Sequence, residues 1–121
     1  VANRQLRLMI QAAEAEEPVG CVDLFEYDPI NGRVGLGILI DERYRRQGYA
    51  TNALGLLVEY LFGDVMVRQV HCQIDAMNEE SQRLFERLGF KACGRWKDWI
   101  RTPEGYVDVI AYQLFNHHLG S

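Results

Sequence analysis

The sequence is poor in the residues that build covalent or metal-bound frameworks. Its 121 residues contain only three cysteines, Cys21, Cys72 and Cys93, which are widely spaced and form no Cys-x-x-Cys pair. An odd number of separated cysteines argues against a disulfide framework and against a zinc site. We therefore expect no metal, a reducing cytoplasmic location, and cysteines that serve as small buried apolar residues.

Long apolar runs and clustered positive charge are also lacking. No apolar run approaches the roughly 18 residues that a membrane span needs, and no charged-then-apolar leader opens the sequence. The formal net charge is -4, and no basic stripe interleaved with aromatic residues is apparent, which disfavours nucleic acid as a partner. The sequence thus predicts neither a membrane nor a nucleic-acid partner, and slightly favours a cationic acceptor.

What the sequence does contain is the composition and periodicity of one mixed α/β domain over residues 1–121. Its hydrophobic fraction of 48% and charged fraction of 25% are typical of globular proteins. Apolar alternation predicts strands, and an apolar period of three to four predicts helices. The predicted elements are strands at 4–13, 19–27 and 33–40, a helix from Gly48 to about Phe62, a strand at 69–75, a helix from Asn78 to Gly89, and strands at 90–99 and 106–115 joined by a long loop. The predicted fold is therefore β-β-β-α-β-α-β-β, with a mostly antiparallel sheet and flanking helices.

The most informative segment is Ile38 to Thr51, where an apolar strand leads through a basic turn into a helix. The first turn of a helix has N–H groups without internal partners and favours negative charge, so it can receive phosphate oxygens. Gly48 lets the backbone approach a ligand closely, and Ala50 keeps the next side chain small. A P-loop and a dinucleotide fingerprint are excluded because their further Gly and Lys residues are missing. The segment predicts a phosphate site with added charge from its arginines, which are Arg43, Arg45 and Arg46.

Two motifs resemble those of the GNAT superfamily of N-acetyltransferases. Arg45-x-x-Gly48-x-Ala50 after a strand resembles the family's Arg/Gln-x-x-Gly-x-Gly/Ala signature, and Asn78 to Phe90 (NEESQRLFERLGF) resembles its second conserved segment. The resemblance covers roughly Val19 to Phe115 and is closest to the polyamine and ribosomal-protein branch. It implies a GNAT-like fold, acetyl-coenzyme A as the cofactor, and a small-molecule amine or a peptide N-terminus as the acceptor. The family's first strand and two helices have no counterpart in this sequence, and a homo-oligomer is left open.

The resemblance also implies which residues contact acetyl-coenzyme A. The strand backbone would meet the pantetheine amides and the thioester, the helix start would surround the pyrophosphate, and the second helix would face the pantetheine arm. For Asn78, a role as helix N-cap stays open beside cofactor contact. The implied residues are Ile38, Leu39 and Ile40 on the strand, then Arg45, Arg46, Gln47, Gly48, Tyr49, Ala50 and Thr51 at the helix start, and Asn78, Ser81 and Phe85 on the second helix.

At Phe85 the sequence departs from the family, in which a tyrosine commonly protonates the leaving thiolate. Two interpretations follow: protonation by water, Tyr44 or Tyr106, or a module that binds coenzyme A without turnover. For the general base the sequence offers Asp75, and secondarily Asp23 or Glu26. The aromatic residues Trp96, Trp99 and Tyr106 would either line an acceptor pocket or pack within the sheet.

Overall fold

Six strands and two helices follow one another in the predicted order in the computed structural model, which describes residues 5–117. The strands are β1 (Gln5–Ile10), β2 (Gly20–Asp28), β3 (Arg33–Ile40), β4 (Gln69–Asp75), β5 (Lys91–Thr102) and β6 (Gly105–Phe115), and the helices are α1 (Tyr49–Tyr60) and α2 (Glu79–Arg87). The third and fourth strands have the predicted bounds. The first ends at Ile10 instead of Ala13, and its predicted start at Arg4 lies outside the described residues.

These residues form two compact units, one of residues 5–70 and 115–117 and the other of His71–Leu114. In the first unit the strand order is β1-β2-β3, with both pairings antiparallel. In the second unit the order is β4-β6-β5, and β5 pairs antiparallel with β6. The mixed α/β class is confirmed, whereas a single domain over residues 1–121 remains a prediction.

The first unit has its core between β2, β3 and α1. Val22, Val34, Leu36 and Leu54 are almost completely buried, and α1 contacts β3. Apolar burial of this kind supplies most of the free energy of folding. It holds α1 against β3, and the turn between these two elements is where the sequence predicts the phosphate site.

The end of α1 differs from the prediction, which continued an ordinary helix to about Phe62. After Tyr60 the backbone widens into one π-helical turn, Leu61–Val65. Such a turn disturbs the usual ladder of carbonyl acceptors. The fully buried Asn116 compensates, since its Nδ2 donates to the carbonyl oxygens of Phe62 at 3.0 Å and Val67 at 3.1 Å.

In the second unit, α2 has the predicted caps. The Asn78 side chain accepts a hydrogen bond from the Ser81 N–H at 3.1 Å, and Gly89 follows the helix with a φ of +98° that favours glycine. Leu84 and Phe85 are its buried side chains. Helix α2 is therefore anchored by its apolar face and ends where the sequence predicted.

The closing hairpin is tighter than predicted, because β5 runs on to Thr102 and β6 starts at Gly105. Only Pro103 and Glu104 connect them, and Gly105 adopts a φ of +124°, which few other residues tolerate. Strand β5 is exposed along almost its whole length.

The three cysteines differ in burial. Cys21 and Cys72 are buried as predicted, and burial raises the pKa of the Cys72 thiol to about 12. The prediction of burial was wrong for Cys93, since it lies on the exposed strand β5.

Candidate functional site

The segment between β3 and α1 is a turn shaped by its own polar side chains. After β3 ends at Ile40, the Asp41 carboxylate accepts a hydrogen bond from the Arg43 N–H at 3.0 Å and caps a short 3₁₀ turn, Glu42–Tyr44. The Arg45 Nε then donates to the Ile40 carbonyl oxygen at 3.1 Å. The chain is thereby folded back from the strand toward the helix.

Helix α1 begins without a side-chain cap. Its N-cap is Gly48, in the left-handed conformation with φ +85° and ψ -1°, and Arg46 also has a positive φ of 63°. A Cβ at Gly48 would meet no atom within 4 Å. Because Gly48 has no side chain, it cannot cap the N–H groups of the first helical turn, and an anion site uses such uncapped donors.

Three arginines lie near this helix start, and carboxylates of the chain itself bind one of them. Arg43 is held by Asp41 at 3.1 Å and by Glu17 at 3.3 Å, and this hydrogen bonding keeps the pKa of the Asp41 carboxyl below its ordinary value. Arg45 and Arg46 are exposed. The charge of Arg43 is therefore partly neutralised by carboxylates of the chain itself.

Tyr49, the first residue of α1, is fixed from outside its own segment. Its hydroxyl donates to a Glu14 carboxylate oxygen at 2.5 Å, which raises the pKa of Tyr49 and lowers that of Glu14. The Tyr44 ring meets the Tyr49 ring edge-on, with 6.1 Å between centroids. Sequence reasoning missed Glu14, because it precedes Tyr49 by 35 residues and carries no local motif.

The carboxyl end of β3 is paired with β2 on one side through Ile38, Leu39 and Ile40. Leu39 has an exposed fraction of 60%. Together with the helix start, this end of β3 forms the part of the predicted cofactor site that belongs to the first unit.

The second unit carries the remaining predicted cofactor residues on α2 and the preceding turn. The Asn78 Oδ1 is used by the helix cap, and Ser81 is half-buried. The Asp75 carboxylate accepts a hydrogen bond from the Met77 N–H at 2.7 Å. Asp75 thus stabilises the turn before α2 with one oxygen, and Gln82 braces the same turn by donating to the Asp75 carbonyl oxygen at 3.3 Å.

Phe85 lies in the apolar interior of this unit. Its exposed fraction is 2%, and its ring packs edge-on against Phe90 with 5.0 Å between centroids. Of the two alternative tyrosines, Tyr106 is exposed and carries the Arg101 guanidinium 5.7 Å from its ring centroid, whereas Tyr44 is half-buried.

The other candidate bases have different surroundings. Asp23 is bound by both Nε and Nη2 of Arg7, at 2.7 and 3.0 Å, and the Arg7 hydrogen bond lowers the pKa of its carboxyl. A carboxylate so engaged is a poor proton acceptor. Glu26 is exposed and has a positive φ of 50° at a bulge in β2.

Comparison with known proteins decides the family. The model described as "Acetyltransferase (GNAT) domain" matches residues 2–91. The chain belongs to the GNAT family. The resemblance seen in the Arg45 and Asn78 motifs is therefore confirmed.

Individual GNAT relatives share less than a third of their aligned residues with this chain. The chain is 30% identical over 96 residues to the SPbeta prophage-derived uncharacterized N-acetyltransferase YokL of Bacillus subtilis, covering 79% of this chain and 54% of that protein. It is 27% identical over 101 residues to the spermidine N(1)-acetyltransferase of Escherichia coli, covering 84% and 54%. The chain thus spans about half the length of these curated relatives.

Solved structures confirm the GNAT fold. A dodecameric structure of spermidine N-acetyltransferase from Vibrio cholerae has a TM-score of 0.86 at 19% identity, covering 97% of this chain and 68% of that one. A crystal structure of a probable acetyltransferase has a TM-score of 0.78 at 25% identity, covering 84% of this chain and 57% of that one. The predicted mixed, mostly antiparallel α/β architecture is thereby confirmed.

The described residues contain neither a helix suited to a membrane nor a cluster suited to a metal ion. Within residues 5–117, no helix has the length and apolar character to cross a membrane. Over the same residues, no group of three or more His, Cys, Asp or Glu side chains is arranged to hold a metal ion.

Proposed function

We propose that this GNAT domain binds acetyl-coenzyme A and transfers the acetyl group to an amine. The observation that carries the proposal is the start of α1, which has no side-chain cap, and where Gly48 is left-handed and a Cβ on it would meet no atom within 4 Å. The GNAT signature Arg45-x-x-Gly48-x-Ala50 falls on this turn. An anionic diphosphate matches both its unused donors and its exposed arginines.

In this proposal the chain's own residues bind and orient the cofactor, whose thioester supplies the activated acetyl group. Backbone groups from Arg45 to Thr51 hold the diphosphate, and the backbone of Ile38, Leu39 and Ile40 meets the thioester arm. The Asn78 Oδ1 is used by the helix cap, but its amide N–H groups can still donate to that arm. Asp75 is the proposed proton acceptor, acting through the carboxylate oxygen that does not bind Met77.

For the acceptor we propose a cationic amine of the polyamine type or the amino group of a peptide. Two relatives support this choice by name, the spermidine N(1)-acetyltransferase of Escherichia coli and a putative ribosomal N-acetyltransferase of Bacillus subtilis. The exposed pair of Trp96 and Trp99, with ring centroids 4.7 Å apart, offers aromatic faces that attract ammonium groups. We also include self-association, because the Vibrio cholerae neighbour is described as dodecameric.

The first test is thermal unfolding with and without coenzyme A, followed by a thiol-release assay with acetyl-coenzyme A. Binding to the native state raises the unfolding temperature by mass action. We expect stabilisation by coenzyme A and thiol release that depends on spermidine, a small amine or a peptide N-terminus. If coenzyme A leaves the unfolding temperature unchanged at millimolar concentration, the proposal is wrong.

The tryptophan pair allows the acceptor to be tested directly. Trp96 and Trp99 are the two tryptophans of the whole sequence, so fluorescence excited at the tryptophan band reports on this surface alone. An accepted amine should change the emission in a saturable manner, and the same change should be lost in Trp99→Leu. Turnover without any emission change would remove this surface from the proposed acceptor site.

A second candidate, a module that binds coenzyme A without turnover, is favoured by Phe85. At the position of the family's tyrosine it has no proton to donate, and its ring is buried against Phe90. Saturable binding with no thiol release for any amine would support this candidate. Phe85→Tyr separates the two: a gain in thiol release at unchanged coenzyme A affinity would show that the missing hydroxyl limits catalysis.

A further inference from the structure

The turn between β1 and β2, residues 11–19, makes one contact on each side of residues 45–48, which belong to the proposed diphosphate segment. At one end Glu14 accepts the hydrogen bond from the Tyr49 hydroxyl at 2.5 Å. At the other end Glu17 pairs with the Arg43 guanidinium at 3.3 Å. The two contacts bracket Arg45 to Gly48, so we call residues 11–19 the bracing turn.

The bracing turn is itself well held. Its first side chain, Gln11, donates from Nε2 to the carbonyl oxygens of Ala12 at 3.3 Å and Ala15 at 3.0 Å. Its last residue, Val19, is buried, donates to the Ile10 carbonyl and accepts from the Asp41 N–H, both at 2.8 Å. A turn fixed in this way can transmit its position to whatever its carboxylates bind.

The segment that it brackets needs such support. Arg46 and Gly48 both have positive φ values, 63° and 85°, and a side chain at Gly48 would find no neighbour. A non-glycine residue such as Arg46 in this region is strained and persists only where its surroundings impose it. The helix start therefore depends on the restraint that Glu14 places on Tyr49, the residue that follows Gly48.

We propose that Glu14 is a positioning residue for the diphosphate site, and that Glu17 opposes binding by holding Arg43 away from the diphosphate. This inference rests on the proposed function of the α1 helix start. A segment that is preformed binds with its full intrinsic affinity, whereas one that is only partly populated loses affinity in proportion. Glu14 should therefore strengthen binding through Tyr49, although its negative charge alone would weaken it.

Two uncharged substitutions separate the hydrogen bond from the charge. Glu14→Gln keeps an oxygen that can accept from Tyr49, whereas Glu14→Ala does not, and neither carries a charge. Tyr49→Phe removes the same bond but leaves the Glu14 charge in place. A hydrogen bond of ordinary net strength corresponds to about threefold to tenfold in affinity.

We would measure coenzyme A affinity by calorimetry at low and high salt, with thermal unfolding of each unliganded variant. Glu14→Gln should bind at least as tightly as the unmodified protein, and Glu14→Ala about threefold to tenfold more weakly than Glu14→Gln. Tyr49→Phe should be the weakest of the three. The double variant Glu14→Ala, Tyr49→Phe should lose no more affinity for coenzyme A than Tyr49→Phe alone, because the two substitutions remove the same hydrogen bond.

Glu17→Gln should act in the opposite direction. It removes one of the two negative charges that neutralise Arg43, so coenzyme A should bind more tightly at low salt, and the gain should vanish at about 1 M salt, where charges beyond roughly 3 Å are screened. A residue that only stabilises the fold would not produce a gain that depends on salt.

The outcomes distinguish this inference from the proposed function. If the unmodified protein does not bind coenzyme A, the proposed function fails first. If it binds, and both Glu14→Ala and Tyr49→Phe bind coenzyme A as tightly as the unmodified protein, the positioning role of Glu14 is refuted while the proposed function stands. Equal affinities of Glu14→Gln and Glu14→Ala, in variants that unfold cooperatively, would refute it in the same way.

Discussion

Adding one methyl group at Gly48 tests both the backbone geometry of the helix start and its role in binding. Gly48→Ala forces a residue with a Cβ into φ +85°, which costs roughly 1–2 kcal/mol for a non-glycine residue. No packing clash adds to this cost, since the new Cβ would meet nothing within 4 Å. The free energy of unfolding should therefore fall by about 1–2 kcal/mol, without a change in the denaturant m-value.

The same helix provides a matched control. A Cβ at Gly55 would likewise meet no atom within 4 Å, but Gly55 lies inside α1 with ordinary helical geometry. Gly55→Ala should stabilise the protein by roughly 0.5–1 kcal/mol, because glycine is a poor helix residue. At about 4 °C per kcal/mol for a domain of this size, the two variants should unfold about 6–12 °C apart.

Coenzyme A affinity completes the test. Gly48→Ala strains the left-handed helix start and adds a Cβ at the turn proposed to hold the diphosphate, so affinity should fall more than about tenfold, whereas Gly55→Ala should bind as the unmodified protein does. The measurements are urea unfolding for stability and calorimetry for affinity. If Gly48→Ala proves as stable as the unmodified protein, the left-handed helix start is wrong; if it is less stable but binds equally well, the diphosphate does not contact this turn.

Three further predictions concern other parts of the chain. Arg45→Ala combined with Arg46→Ala should weaken coenzyme A binding and flatten its dependence on salt, as measured by calorimetry at several ionic strengths; unchanged affinity would contradict the site. Asn116→Leu should cost about 2–4 kcal/mol in urea unfolding, because two carbonyl oxygens lose their donor, and a loss below about 0.5 kcal/mol would refute this role. Hydrogen bonds from the Asp98 N–H and from Arg95 lower the pKa of Asp108. These bonds therefore stabilise the folded state in full above the ordinary carboxyl pKa of about 4, and this stabilisation is lost as the pH falls below that value. Acid unfolding followed by circular dichroism should accordingly be less steep in Asp108→Asn, and equal slopes would contradict this.

The part of the site that sequence reasoning predicted is the part that depends on local backbone. Gly48 and Ala50 define a helix start within a few residues, and Asn78 caps α2 through the N–H of Ser81, three residues away. Such patterns can be seen in the sequence because their partners are near neighbours along the chain. By contrast, Glu14 acts on Tyr49 through a contact that only the packing of β1, β2 and α1 creates.

The tryptophan surface shows why the acceptor side was harder to predict. In a regular strand, residues three apart point to opposite faces, so Trp96 and Trp99 would be separated. The register shift between Trp96 and Ile100 changes this alternation, and Asp98 within it adopts a φ of 48°. The bulge is held by Asp108, which accepts from the Asp98 N–H at 2.8 Å and from the Arg95 Nε at 2.7 Å. Two aromatic rings are thus brought together by a carboxylate on the neighbouring strand, and alternation in the sequence alone would have assigned them to different faces.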